Sequence, residues 1–254
     1  DRLLASLISG SAIPVKRHGL SGVVASGNGG FSPQDISDLY AWYDANDEDT
    51  ITKDGSDRVS KWEDKNGTAG YDLVQTNSSY QPLWVSEDQN GKDVINFDAN
   101  RQMRTASAQS AESMPITIAF VAVLPANDST QHFGWSEYGG APSFEKSDVN
   151  NKVTLTWTTN FSYTSTSAYN GKWTDMTCLA NTGSSSIRFN NTEVATGSLS
   201  GTWTPFAVAC HGGQPTTANT LWREKIGEIC IYNKLLDADE LTELFEYFEA
   251  KWDL

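Results

Sequence analysis

Lys152-Val153-Thr154-Leu155-Thr156-Trp157 is a run in which every second side chain is apolar. Successive side chains of a β-strand point to opposite faces, so Val153, Leu155 and Trp157 share a buried face while Lys152, Thr154 and Thr156 meet water. Outward from this run the pattern repeats. From Phe31 onward, short apolar stretches alternate with turn residues, which is the spacing of an all-β sandwich or barrel. Ile116 to Leu124 is apolar on both faces and predicts a central strand covered on each side. Trp173 to Ala180, Ser186 to Phe189 and Phe206 to Cys210 read as further strands, with Asn190-Asn191 turning a hairpin, and Ile226 to Tyr232 as the last one.

Composition agrees. The 254 residues include 9 Trp, 9 Tyr and 10 Phe against 3 Met, the balance of half-buried strands rather than long helices. A chain of this length buries enough surface to fold without covalent staples. Cys178, Cys210 and Cys230 stand in separate apolar runs, with no C-x-x-C pair and an odd total, and read as small buried hydrophobes; one pair could still face each other across strands. No window reaches the 18 apolar residues of a membrane span. The formal net charge is −14. Asp1 against Arg2, Lys16 and Arg17 gives +2 over residues 1–30, so the remainder carries −16, a body that repels nucleic acid.

One helix is expected, over 237–252. Asp237 caps it, Glu240 answers the cap, and Leu236 with Leu241 occupy the staple positions. Leu241, Leu244, Phe245, Phe248 and Trp252 form one continuous stripe, worth roughly 1.5 to 3 kcal/mol for each large side chain buried, so the helix should pack on the sandwich.

Residues 1–30 differ in kind: a weakly apolar start, a basic Val15-Lys16-Arg17-His18 centre and the linker-like Gly27-Asn28-Gly29-Gly30. The basic pair follows the apolar stretch and no small-x-small site closes it, which argues against a secretory signal. Leu3, Leu4, Leu7 and Ile8 are too few to form a core, so they read with Lys16 and Arg17 as an anchor docking on a partner, separate from a domain over 31–254.

Leu39-Tyr40-Ala41-Trp42-Tyr43-Asp44-Ala45-Asn46-Asp47, Val59-Ser60-Lys61-Trp62-Glu63-Asp64-Lys65-Asn66-Gly67, Gln81-Pro82-Leu83-Trp84 and Val94-Ile95-Asn96-Phe97-Asp98 resemble concanavalin A-like, laminin G-like domains of bacterial surface proteins and phage virion proteins. Gly227 to Leu236 running into a capped helix is similar to the ending of that group, and Ile187 to Val194 to its hairpin. The resemblance covers about 39–254. It implies an all-β, two-sheet antiparallel jelly-roll sandwich with a C-terminal amphipathic helix. It further implies a non-catalytic virion fibre, spike or decoration protein that presents a lectin-like domain to host-surface glycans. Such a protein is expected at the virion surface as a homo-oligomer, a trimer by analogy. The alternatives are a secreted or surface bacterial polysaccharide-binding module, a purely architectural decoration and, last, a glycoside hydrolase.

Glucanases of that group set their carboxylates on one strand in an E-x-D-x-x-E spacing, and this chain has none. His18, His132 and His211 are isolated, and no G-x-S-x-G elbow occurs. No catalytic residue and no cofactor are therefore expected. Asp44-Ala45-Asn46-Asp47-Glu48-Asp49 invites a calcium reading but fails the EF-hand template, leaving a solvated acidic loop as the expectation. Sugar binding needs an aromatic face beside amides or carboxylates. Trp135 and Tyr138, in His132 to Gly140, and Tyr163 and Tyr169, in Phe161 to Asn170, are the candidates, placed in loops or loop edges.

Overall fold

The computed structural model describes residues 30–254 except 69, 99, 107–110, 127–130, 138–141, 148–150, 165, 204–205 and 209–221. An eight-stranded antiparallel sheet has the order Thr192–Gly197 (β16), Ser185–Phe189 (β15), Trp173–Ala180 (β14), Ile116–Val123 (β9), Lys225–Tyr232 (β19), Lys92–Asn96 (β6) and Leu83–Gln89 (β5), with Leu39–Asp44 (β1) also paired to β19. A nine-stranded sheet has the order Asn160–Tyr163 (β13), Lys152–Thr156 (β12), Ser143–Ser147 (β11), Gln131–Glu137 (β10), Phe206–Val208 (β18), Met103–Thr105 (β7), Leu73–Val74 (β4), Val59–Trp62 (β3) and Ile51–Lys53 (β2). Thr202–Trp203 (β17) and Glu112–Ser113 (β8) make a small ribbon. The all-β expectation holds at this level: two large antiparallel sheets share one core.

That core is explained by strand parity. In β9, Ile116, Ile118, Phe120 and Ala122 enter the cluster between the sheets, while Ala119 and Val121 enter a second cluster on the far face. Hence β9 is apolar on both sides. Phe120 meets Phe144 of β11 edge to face at 5.1 Å, which ties one sheet to the other. The alternating run that opened the sequence reading is β12: Val153 and Leu155 lie in the core, but Thr154, expected to meet water, is buried in a strand flanked on both sides, by Glu145 and Ser162. Asn190 and Asn191 take positive φ of 46° and 56°, the conformation of a two-residue hairpin turn. Cys178 and Cys230 are free and fall in different clusters, on opposite faces of the eight-stranded sheet, so they do not bridge; Cys210 lies outside the described residues.

The second cluster exists because a helix covers that far face. Ala238–Trp252 (α1) starts as expected: Asp237 accepts from the backbone N–H of Asp239 and Glu240 at 3.0 Å, and Glu240 accepts from the N–H of Asp237 at 3.0 Å. Leu241, Leu244, Phe248 and Trp252 are buried and Phe245 is half-buried. Trp252 stacks on Trp173 at 5.9 Å and sits over Gly227, where a Cβ would lie 2.7 to 2.9 Å from its ring. At this point β19 shifts register against β9, between Ile226 and Glu228. The chain enters the domain on the same face, where Phe31 meets Tyr247 edge to face at 6.0 Å and the Tyr232 hydroxyl donates to the Pro33 carbonyl at 3.1 Å.

The acidic segment is solvated only in part: Glu48 and Asp49 are exposed, but its first carboxylate is not. Asp44 belongs to β1 and is 5% exposed, and Lys65 reaches Asp44 at 3.1 Å and Asp47 at 2.8 Å. Lys251 of α1 bridges Asp44 at 2.7 Å and Glu228 at 2.8 Å. Asp44, Asp47 and Glu228 thus share two lysines, Lys65 and Lys251.

Candidate functional site

Two polar constellations stand out, and burial separates their roles. Beneath α1, Glu228 is fully buried and its Oε1 accepts from Trp42 Nε1 at 2.7 Å and the Tyr247 hydroxyl at 2.8 Å. Its Oε2 accepts from Lys251 Nζ at 2.8 Å and Trp252 Nε1 at 2.9 Å. Burial pushes this carboxyl up, and the Lys251 ammonium pulls it back. Burial would depress Lys251, yet Glu228 and Asp44 hold it above the ordinary lysine value. With its oxygens occupied and no path to water, Glu228 fastens the helix to the sheet and has no geometry for a substrate.

The second constellation is open. On the nine-stranded sheet Leu73, Met103 and Trp62 point into the core. Their neighbours Val74, Arg104 and Lys61 pair across β4, β7 and β3 and therefore face outward. On this face lies a cleft of about 360 Å³ lined by Val74, Gln75, Thr76, Asn77, Tyr80, Gln102, Arg104 and Ala106. Val74 and Arg104 are cross-strand neighbours in β4 and β7, and the residues just beyond those strands complete the lining.

The loop 75–80 is fixed to β7 by its own polar groups. Gln75 donates from its side chain to the Gln102 carbonyl at 3.2 Å, and the Gln102 N–H donates to the Tyr80 carbonyl at 3.0 Å. The Asn77 side chain accepts from Ser79 N–H at 3.0 Å, an Asx turn that places Tyr80 at the rim. Gln81 donates to the Gln75 carbonyl at 2.8 Å. The cleft thus has preset walls, three amides, one half-buried tyrosine and one guanidinium. Gln102 is 4% exposed, and among the described residues no donor reaches its Oε1.

Of the four aromatic candidates from the sequence, the three that are described, Trp135, Tyr163 and Tyr169, do not line this cleft. Trp135 is a correction: its segment is strand β10, not a loop, and its ring is 2% exposed, packed on Phe144 at 6.4 Å and Trp157 at 5.9 Å. Strand parity sends it inward. Tyr163 and Tyr169 do come together, but on a core ring: both meet Phe189 edge to face, at 5.9 and 4.9 Å. They pack against the core as partly buried side chains rather than forming an open platform. Tyr138 and the anchor candidates Leu3, Leu4, Leu7, Ile8, Lys16 and Arg17 lie outside the described residues. The sequence did hold a signal for the observed cleft, a polar Gln75-Thr76-Asn77-Ser78-Ser79 loop ending in Tyr80, but the partner strand β7 is too short to read as a strand.

No protein-family model and no curated protein sequence matches the chain. Solved structures do resemble it. A Trypanosoma rangeli sialidase in complex with sialic acid superposes with a TM-score of 0.57 at 12% identity, over 83% of this chain and 33% of that one. Domain 4 of AbnA, a GH43 extracellular arabinanase from Geobacillus stearothermophilus in complex with arabinotriose, gives 0.53 at 14% identity, over 81% and 97%. The binding domain of botulinum neurotoxin serotype D/C gives 0.50 at 12%, over 85% and 53%. The chain spans about a third of the sialidase and nearly all of the arabinanase domain. At these identities the likeness shows the β-sandwich fold alone.

Proposed function

We propose that the chain is a non-catalytic, lectin-like module of jelly-roll type that binds a glycan in the cleft between Tyr80 and Arg104. The observation that carries this reading is the cleft itself, a preset concavity on the outward face of the nine-stranded sheet with an aromatic ring beside three amides. A tyrosine ring takes the C–H face of a sugar while amides meet its hydroxyls. No carboxylate is among the described lining residues, whereas hydrolysis of a glycosidic bond ordinarily uses two, so binding without cleavage is the expected chemistry.

The setting of the module follows from the sequence resemblance and from residues 1–30. In this reading the domain is carried at the virion surface as a fibre, spike or decoration component that attaches to host-surface glycans. Leu3, Leu4, Leu7, Ile8, Lys16 and Arg17 fasten it to the particle, and the copies assemble as a homo-oligomer, a trimer by analogy with fibres built about a symmetry axis. The binding test is a glycan array with the full chain and Tyr80→Ala. Retained glycans lost in the variant are the expected result; no retained glycan, or binding indifferent to Tyr80, would overturn the cleft assignment. Light scattering and co-sedimentation with the particle, for the full chain against one starting at Phe31, test the anchor. If both forms are monomeric and both remain attached, the anchor reading fails.

A further inference from the structure

We infer that the cleft takes an uncharged sugar carrying an acetamido group, an N-acetylhexosamine. This deepens the glycan-binding reading above and rests on it. The exposed Asn77 side chain on the cleft wall is the first observation. Its Oδ1 accepts from the Ser79 N–H at 3.0 Å, and only the oxygen of an amide accepts, so the turn fixes which end of the amide is which. Nδ2 is left with two protons to donate, and no acceptor meets it among the described residues. The donor is held in place as well as oriented. The Asn77 N–H donates to Gln75 Oε1 at 3.0 Å, and the Asn77 carbonyl accepts from the Tyr80 N–H at 2.9 Å. A ligand answering it brings an oxygen acceptor, and a carbonyl does so without adding a donor of its own.

The second observation is independent. Val74, half-buried, and Ala106, exposed, also line the cleft and offer a hydroxyl nothing, but they offer a methyl group an apolar seat. An acetamido group brings both parts at once, a carbonyl for Asn77 and a methyl for Val74 and Ala106, while the Tyr80 ring remains for the C–H face of the sugar. Charge narrows the ligand further. Arg104 already has a partner within the chain, so the groups that the described lining leaves to a ligand are neutral, and a body of formal charge −14 repels an anionic sugar. At about 360 Å³ the cleft is at the small end of ligand pockets, which suits one sugar at the end of a glycan rather than a stretch of chain.

The test uses the full chain and methyl glycosides in matched pairs differing only at C2: N-acetylglucosamine against glucose, N-acetylgalactosamine against galactose and N-acetylmannosamine against mannose, titrated calorimetrically. The acetamido member of one pair should bind roughly tenfold or more tightly, since one net neutral hydrogen bond and one buried methyl each contribute a factor of about four or five. Asn77→Asp keeps the oxygen that the turn needs and removes the donor, and it should abolish most of the preference. Val74→Thr, which exchanges a methyl for a hydroxyl, should reduce it in part. Because preference is a ratio within one variant, a partly unfolded sample does not alter it. Equal affinity within every pair, with Tyr80→Ala weakening both members, would overturn the acetamido specificity and leave the glycan cleft standing. A preference indifferent to Asn77→Asp would also overturn it. Absence of binding to all six glycosides overturns this inference alone if the glycan array retains other sugars, and both readings if the array is blank.

Discussion

Replacing Lys251 by Met is the sharpest test of how the helix is held. The ammonium contacts Asp44 at 2.7 Å and Glu228 at 2.8 Å, and its side chain is only 12% exposed. Methionine keeps most of the stem and removes the charge. Asp44 still has Lys65 at 3.1 Å, but Glu228 is left with the neutral donors Trp42, Tyr247 and Trp252. An uncompensated buried charge costs about 3 to 5 kcal/mol. For a domain of this size about 4 kcal/mol is a fall of roughly 8 to 16 °C in Tm. The pH dependence fixes the cause. A carboxyl whose folded pKa is raised binds more protons folded than unfolded between the two pKa values, so its cost is absent below the unfolded value, grows as pH climbs towards the folded value and is complete above it. Without Lys251 that value rises further, and the gap between wild type and variant should widen from pH 5 to pH 8. Adding Glu228→Gln should close most of the gap. Urea unfolding at several pH values reads all of this; a loss under about 1 kcal/mol, or a gap independent of pH, would refute the latch.

Three further outcomes follow from the packing. Gly227→Ala should lower Tm by several degrees, because its Cβ would fall 2.7 to 2.9 Å from Trp252, and Trp252→Leu should make that substitution nearly neutral, as a double-mutant cycle would show. Asp175, fully buried on β14, has its carboxyl pushed up to about 7 by burial, against the pull of Thr177 and Arg188. It therefore destabilises the fold increasingly as pH rises from about 4 to 7, and Asp175→Asn should be neutral near pH 4 and stabilising by up to about 4 kcal/mol above pH 7, measured by chemical unfolding. Phe248→Asp buries a charge at a site with no exposure and should melt the helix from the sheet, seen as lost helical circular dichroism before the main transition.

What the sequence revealed was whatever depends on one element at a time. The inward face of Val153 and Leu155, the two-sided apolar run of β9 and the capping box of α1 are local patterns, and each appears in the structure where its residues predict; the outward Thr154 does not, being buried. What stayed hidden was what depends on pairing between distant strands. Trp135 looked accessible beside Tyr138 and glycines, but its inward parity is set by the pairing with Phe144. Asp44 read as one of a solvated acidic run because its lysines are 21 and 207 residues away. The cleft needs Gln75 and Tyr80 to meet Gln102 and Arg104, and nothing in either stretch names the other.

The domain has two outward faces with different owners. The chain enters on the helix-covered face, beside Tyr247, and the cleft opens on the face of the other sheet. Were the cleft to hold a ligand as proposed, a pull between it and Phe31 would run from one sheet to the other, across the contact of Phe120 with Phe144, rather than along a single ladder of hydrogen bonds. Resistance to detachment in flow would then depend on how tightly the interior is packed, and softening an aromatic pair in the core would weaken grip under force without changing the affinity of the cleft at rest.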